Sequence, residues 1–273
     1  MSKIIIFIFT ILASINFKAY PLVCQISLVT NSNDESKSHH KSNVWIFIMA
    51  GQSNMAGRAK VEPLDTITNK RILVMQPNGK ITIAKEPLHL YEPAMVGLDC
   101  GLSFGKQLLK SIPDSISILL VPTAVGGSSI NQWLGDSLHR GVKLHSNFKK
   151  LLNLSIQHGT VKGILWHQGE SDANQVKVKK YQQKLIELFL IFRKEVNNDQ
   201  IPILTGEIGA FSEQVEYQKQ INKSIRKNAN KDPYTFLVRT NDLAHKGDQL
   251  HFDAKSQRQL GERFAKIYSK NFK

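Results

Sequence analysis

The stretch "VWIFIMAGQSNMAGRAK", Val44 to Lys60, carries an apolar run from Val44 to Ala50 straight into the polar turn Gly51-Gln52-Ser53-Asn54. A run that is apolar at every position, rich in Val, Ile, Phe and Trp, reads as a parallel strand buried on both faces. The turn at its tip admits two readings. Serine favours helix N-caps, so Ser53 could do no more than start the next helix. Alternatively, the strand exists to present Ser53 at the edge of the sheet. One known arrangement is excluded at once: Met55 stands where the G-x-S-x-G elbow of the α/β-hydrolases requires its second glycine.

The same pattern recurs along the chain. "ISILLVPTA" (116–124), "VKGILWHQG" (161–169), "IPILTGEIG" (201–209) and "TFLVRT" (235–240) read as further buried strands. Between and after them, "SFGKQLLKSI", "NFKKLLNLSIQHG", "KKYQQKLIELFLIFRKEV", "EYQKQINKSIRKNA" and the segment from Lys255 read as amphipathic helices. Strands alternating with helices imply right-handed crossovers and a mostly parallel sheet covered on both faces, an α/β fold of three layers. With no internal repeat and no second linker, residues 44–273 read as one domain.

Outside that domain, Lys3 and the apolar run "IIIFIFTILASINF" have the layout of a secretory signal peptide over about residues 1–25, with cleavage near Ala19. The run is too short for a comfortable membrane span. Residues 26–43, with "NSNDESKSHHKSN", read as a flexible polar leader, and His39 and His40 as solvated linker. Cys24 and Cys100 are the only cysteines; spacing does not establish whether they pair. The 273 residues, 41% hydrophobic and 21% charged, are those of an ordinary globular protein. The net charge of +14 is spread along the chain, without the basic runs and interleaved aromatics of a nucleic-acid platform. It reads as solubility and attraction to anionic material. No cluster has metal-ligand spacing, and no cofactor is expected.

Ligands of open α/β sheets bind at the carboxyl ends of the strands. Four polar, glycine-containing segments should therefore converge: "AGQSN", "AVGGSSI", "HQGESD" and "NDLAHKGDQLHFD". A serine hydroxyl needs a base to take its proton and a third group to orient that base. His251, with Asp248 three residues earlier in a turn that leads into a helix, supplies both. The oxyanion needs fixed donors. The Ser53 amide, a glycine amide from Gly126 or Gly127, and the Gln168 side chain are the candidates. Ser128 and Ser129 are rival nucleophiles that lack the strand-tip position. Ser171 and Asp172 read as helix caps.

Together, "GQSNMAG", "AVGGSSI" with Trp133 shortly after, "WHQGESD" and "GDQLHFD", in this order, resemble the SGNH-type hydrolases. More narrowly they resemble the sialate O-acetylesterase-like branch, carbohydrate esterase family six, and "EPLH" (86–89) followed by Cys100-Gly101 fits this branch. The resemblance covers Val44 to Tyr268. It implies a flavodoxin-like α/β/α sandwich and metal-free hydrolysis of acetyl esters on sugars through an acyl-serine, with Ser53 as nucleophile, His251 as base and Asp248 as its partner. Gln168 stands where the wider group has asparagine. Glu170 could hold His167, Arg58 or a sugar hydroxyl, or support its loop. The expected activity is that of a secreted carbohydrate O-acetylesterase acting on an acetylated poly- or oligosaccharide, with no nucleic-acid partner. The alternatives are a lipase- or phospholipase-like SGNH esterase and a carbohydrate-binding relative without catalysis.

Overall fold

A computed structural model describes residues 43–213 and 215–272. The expected signal peptide, the leader up to residue 42, His39, His40 and Cys24 lie outside the described residues. In chain order the elements are β1 (Val44–Gly51), α1 (Ser53–Ala56), β2 (Ile72–Met75), β3 (Ile81–Ile83), α2 (Gly101–Leu108), β4 (Ser117–Pro122), α3 (Ile130–Leu134), β5 (Leu138–His139) and β6 (Val142–Lys143). They continue with α4 (Leu144–Ser155), β7 (Thr160–His167), α5 (Val178–Val196), β8 (Ile203–Gly206), α6 (Val215–Lys231), β9 (Thr235–Val238) and α7 (Ala254–Asn271).

Seven strands form one sheet in the order β3-β2-β4-β1-β7-β8-β9, and only the β3 edge runs antiparallel. Strand β1 thus lies at the centre of the sheet, with parallel partners on both sides, which is why it needs apolar residues on both faces. Its side chains alternate between two cores. Ile46, Ile48 and Ala50 pack with residues of α3, α4, α5 and α6. Phe47 and Met49 pack with α1, α2 and α7 on the other face. The result is the expected three-layer α/β/α sandwich.

Each helix is placed by its apolar stripe. In α5, Tyr181, Leu185, Leu188, Phe189 and Phe192 are buried at helical spacing. Asn197, left-handed at φ 55°, ends the helix and donates its N–H back to the last turn. Phe192 stacks on Phe148 of α4 at 4.4 Å and meets Trp133 and Trp166 edge-on at 5.9 and 5.7 Å.

Residues 70–98 show no periodic segment in the sequence, yet the structure has β2 and β3 there, joined through Pro77-Asn78-Gly79. Two strands of 4 and 3 residues are too short to show a period. The helices α2 and α4 begin at Gly101 and Leu144, earlier than the apolar pattern suggested, and α2 already ends at Leu108.

One glycine decides how the site is assembled. A Cβ on Gly51, whose φ is +142°, would lie 2.0 Å from the His167 carbonyl oxygen. Its absence lets the tip of β1 press against the end of β7, where Gln52 donates its N–H to that same oxygen at 3.0 Å. Two substitutions test this packing in urea unfolding. Phe192→Ala, which removes the ring shared by Trp133, Phe148 and Trp166, should cost about 3–5 kcal/mol. Gly51→Ala should destabilise although it adds a single methyl; an unchanged midpoint would contradict the close approach of β1 and β7.

Candidate active site

Ser53 is the first residue of α1, and Gln52 rather than Ser53 occupies the N-cap position. This helix has only 4 residues, so it offers no extended dipole. What it supplies is an N-terminal amide: the Ser53 N–H finds no acceptor among the described residues. The Ser53 hydroxyl lies 3.0 Å from His251 Nε2. His251 Nδ1 lies 2.7 Å from Asp248 Oδ2, so the ring donates there and leaves Nε2 free to accept.

The turn that holds this pair is built by the carboxylate itself. Asp248 Oδ1 accepts the N–H groups of Leu250 and His251 at 3.1 and 2.8 Å, and Gln249 adopts a left-handed φ of 55°. Partial burial pushes the Asp248 carboxyl upward, but these amides and the imidazole outweigh it and lower its pKa to about 2. Past the turn, Asp253 caps α7 by accepting the Ser256 N–H at 2.7 Å.

Asn54, the residue after the serine, ties the pieces together. Its Nδ2 donates to Glu170 Oε1 at 2.6 Å and to the Leu250 carbonyl at 3.2 Å, while its Oδ1 accepts the Phe252 N–H at 3.0 Å. One buried amide therefore grips the chain on both sides of His251. Glu170 is held by Asn54, its Oε1 lies 3.8 Å from His167 Nδ1, and Arg58 pairs with Glu92 instead.

The "AVGGSSI" loop follows β4. The Gly126 N–H donates to Glu92 Oε2 at 2.7 Å and is thereby occupied. Gly127, exposed at φ +73°, keeps an N–H that nothing among the described residues accepts. Glu92 also accepts from Arg58 at 2.5 Å and from Arg140 at the tip between β5 and β6. Burial pushes the Glu92 carboxyl upward, yet the Gly126 amide and the two guanidinium groups hold it below the ordinary range. Arg58, with 8% of its side chain exposed, is part of this clamp.

Gln168 makes several internal contacts. Its side chain is wholly buried, and Nε2 faces three internal acceptors: Asp172 Oδ2 at 2.7 Å, the Ser128 carbonyl at 3.1 Å and Gln52 Oε1 at 3.2 Å. Two hydrogens already have more acceptors than they can serve, so an oxyanion would have to displace one of them. The rival serines are occupied as well. Ser128 donates to the Gly51 carbonyl and accepts from Trp133 Nε1, and Ser129 caps α3 in a reciprocal arrangement with Gln132. Asp172 is a cap, but for α3, where it accepts the Ile130 N–H at 2.8 Å. Ser171 donates its N–H to Gln52 Oε1 at 3.2 Å. Glu86, His89 and Cys100 sit in the packing behind α1: His89 Nδ1 is 2.8 Å from Asp99, and Cys100 Sγ is 3.8 Å from Met55. Among the described residues, no group of three or more His, Cys, Asp and Glu side chains could hold a metal ion.

A sequence model of the family described as "Carbohydrate esterase, sialic acid-specific acetylesterase" matches residues 43–270. The chain belongs to this family. Within it, the esterase-family chain is 28% identical over 246 residues to a probable carbohydrate esterase of Arabidopsis thaliana, covering 83% of this chain and 91% of the relative. The crystal structure of that Arabidopsis protein superposes with a TM-score of 0.75, covering 85% of this chain and 100% of the other. The structure of NanS has a TM-score of 0.67 at 16% identity, covering 85% and 98%. A carbohydrate acetylesterase from Xanthomonas citri has a TM-score of 0.61 at 21% identity, covering 82% of this chain and 55% of that one. At such identities the last two speak for the shared fold.

Asn54, Glu92, His139 and Arg140 were not singled out from the sequence. Only Asn54 carried a signal, a polar residue directly after the strand-tip serine. Its replacement by alanine should destabilise the protein by about 1–3 kcal/mol, because Glu170 and the 250–252 backbone lose their buried partner. Turnover should fall with it, and a variant as stable as the parent would refute the tie. The Asp248 turn predicts a pH effect whose sign follows from its lowered pKa. The folded state binds this proton less readily than the unfolded state, so the stabilisation is complete above the ordinary carboxylate value of 3.8 and is lost as pH falls towards about 2. Asp248→Asn should lack this component when unfolding is followed across that range.

Proposed function

We propose that the protein is an exported serine esterase that removes O-acetyl groups from a carbohydrate. The observation that carries the reading is the unbroken line from Asp248 through His251 to Ser53, with bonds of 2.7 and 3.0 Å, at the carboxyl end of the central strand. Membership of a carbohydrate esterase family supports the substrate class. Export rests on the N-terminal segment of the sequence.

In this reading His251 Nε2 takes the proton of Ser53 as the hydroxyl oxygen attacks the acetyl carbonyl. Asp248 stabilises the imidazolium that forms, without taking the proton itself. The carbonyl oxygen becomes an oxyanion held by the Ser53 and Gly127 N–H groups, which have no acceptor among the described residues. Collapse of the tetrahedral intermediate breaks the bond to the sugar oxygen, which leaves with the proton from His251. Water, deprotonated by the same imidazole, then attacks the acetyl-serine and releases acetate. Gln168 holds the Ser128 carbonyl and Gln52 in place beside the two amides.

Acetate release from a panel of acetylated polysaccharides and sialic acids tests the reading. The wild-type protein should release acetate from at least one of them, and Ser53→Ala should abolish that release. Acetate release retained by Ser53→Ala, or activity confined to long-chain esters, would overturn it.

A further inference from the structure

The Gly127 N–H that the proposed mechanism uses belongs to the same peptide unit as the Gly126 carbonyl. That unit is planar and trans, so its C=O and N–H point in opposite directions and move together. His139 Nε2 lies 2.8 Å from the Gly126 carbonyl oxygen. A carbonyl only accepts, so Nε2 carries the proton. The other ring nitrogen agrees: Nδ1 lies 2.9 Å from Gln132 Nε2, which is the donor end of that amide. The direction of the Gln132 amide is set in turn, because its Oε1 accepts both the N–H and the hydroxyl of Ser129, at 2.8 and 3.0 Å. A chain of donors therefore runs from Ser129 and Gln132 through His139 to the 126–127 peptide.

The other side of Gly126 is held too, since its own N–H donates to Glu92. Gly126 has no spare room: a Cβ there would lie 2.0 Å from Arg58 Nη2. Two adjoining residues of one short hairpin tip thus converge on the loop, His139 on the carbonyl and Arg140 on Glu92. Neither residue has a place in the Ser53–His251–Asp248 line.

Resting on the esterase reading above, we infer that His139 is a positioning residue for the oxyanion hole: by donating to the Gly126 carbonyl it fixes the plane of the 126–127 peptide and thereby aims the Gly127 N–H. A hydrogen bond to the carbonyl also polarises the amide, which makes its N–H the stronger donor. The role is indirect, and His139 itself does not touch the reacting atoms.

The test compares His139→Leu, which has no donor, with His139→Gln, whose side-chain amide can donate to the same carbonyl. Steady-state hydrolysis of an acetyl ester is read alongside inhibition by a small alkyl boronic acid, whose tetrahedral adduct mimics the intermediate. A misplacement of about 1 Å in such a site costs on the order of 10²-fold in rate. His139→Leu should therefore lower kcat between about tenfold and hundredfold, weaken the boronate by a similar factor, and leave KM within about twofold. His139→Gln should recover most of both losses. The inference is overturned if His139→Leu keeps wild-type kcat and boronate affinity, or if His139→Gln is as impaired as His139→Leu with a raised KM. Should His139→Leu fail to fold, the Gln variant decides alone: near-wild-type boronate affinity supports the donor role, and loss at unchanged thermal stability refutes it. A wild-type protein inactive on every acetyl ester would instead fail the esterase reading, on which this inference depends.

Discussion

Ser53 and His251 are separated by 198 residues, and the side chains that should exchange a proton come from the short helix after β1 and the turn before α7. Chain connectivity does nothing to bring them together. The Asn54 side chain does, because it bonds Glu170 behind it and both the Leu250 carbonyl and the Phe252 N–H around the histidine. The Asn54 amide is fully buried, so it cannot be left unpaired without a free-energy cost. The constraint reaches further through the Asn54 carbonyl, which accepts Gln257 Nε2 of α7 at 2.9 Å. The sheet and its last helix are thus locked around one amide next to the serine.

The site is built mostly from groups whose charge or direction is settled by neighbours before any substrate arrives. Asp248 is held ionised by the turn it creates, Glu92 by two arginines and an amide, and Gln168 by its contacts with Tyr181, Asp172 and Ser128. Two backbone N–H groups, those of Ser53 and Gly127, have no acceptor among the described residues. Donors fixed in advance stabilise a developing charge without having to reorganise. Not every polar atom near the site is paired: the buried His167 Nδ1, Glu170 Oε2 and Asp172 Oδ1 have no hydrogen-bond partner among the described residues.

How much of this was readable beforehand depended on the range of each interaction. The central strand, its four successors and the helices between them showed themselves through local periodicity, which burial on two faces imposes. The Asp248–His251 pair was legible because both residues lie in one turn, and Ser53 because it ends the most apolar strand. The short edge strands β2 and β3 escaped, having too few residues to display a period. Glu92, His139 and Arg140 escaped for a different reason: they act between loops, across separations of 34, 13 and 48 residues, where no spacing rule operates. Gln168 was recognised by position, but the direction of its amide is decided by Tyr181, Asp172 and Ser128, which no local pattern specifies.

The central claim is that Ser53, alone among the serines near the strand ends, has an activated hydroxyl. Labelling the purified protein with a fluorophosphonate and mapping the modified peptide by mass spectrometry tests this most directly. The account predicts a stoichiometric adduct on Ser53 that is lost in His251→Ala. An unlabelled Ser53, with the adduct on Ser128, on Ser129 or absent, would contradict it.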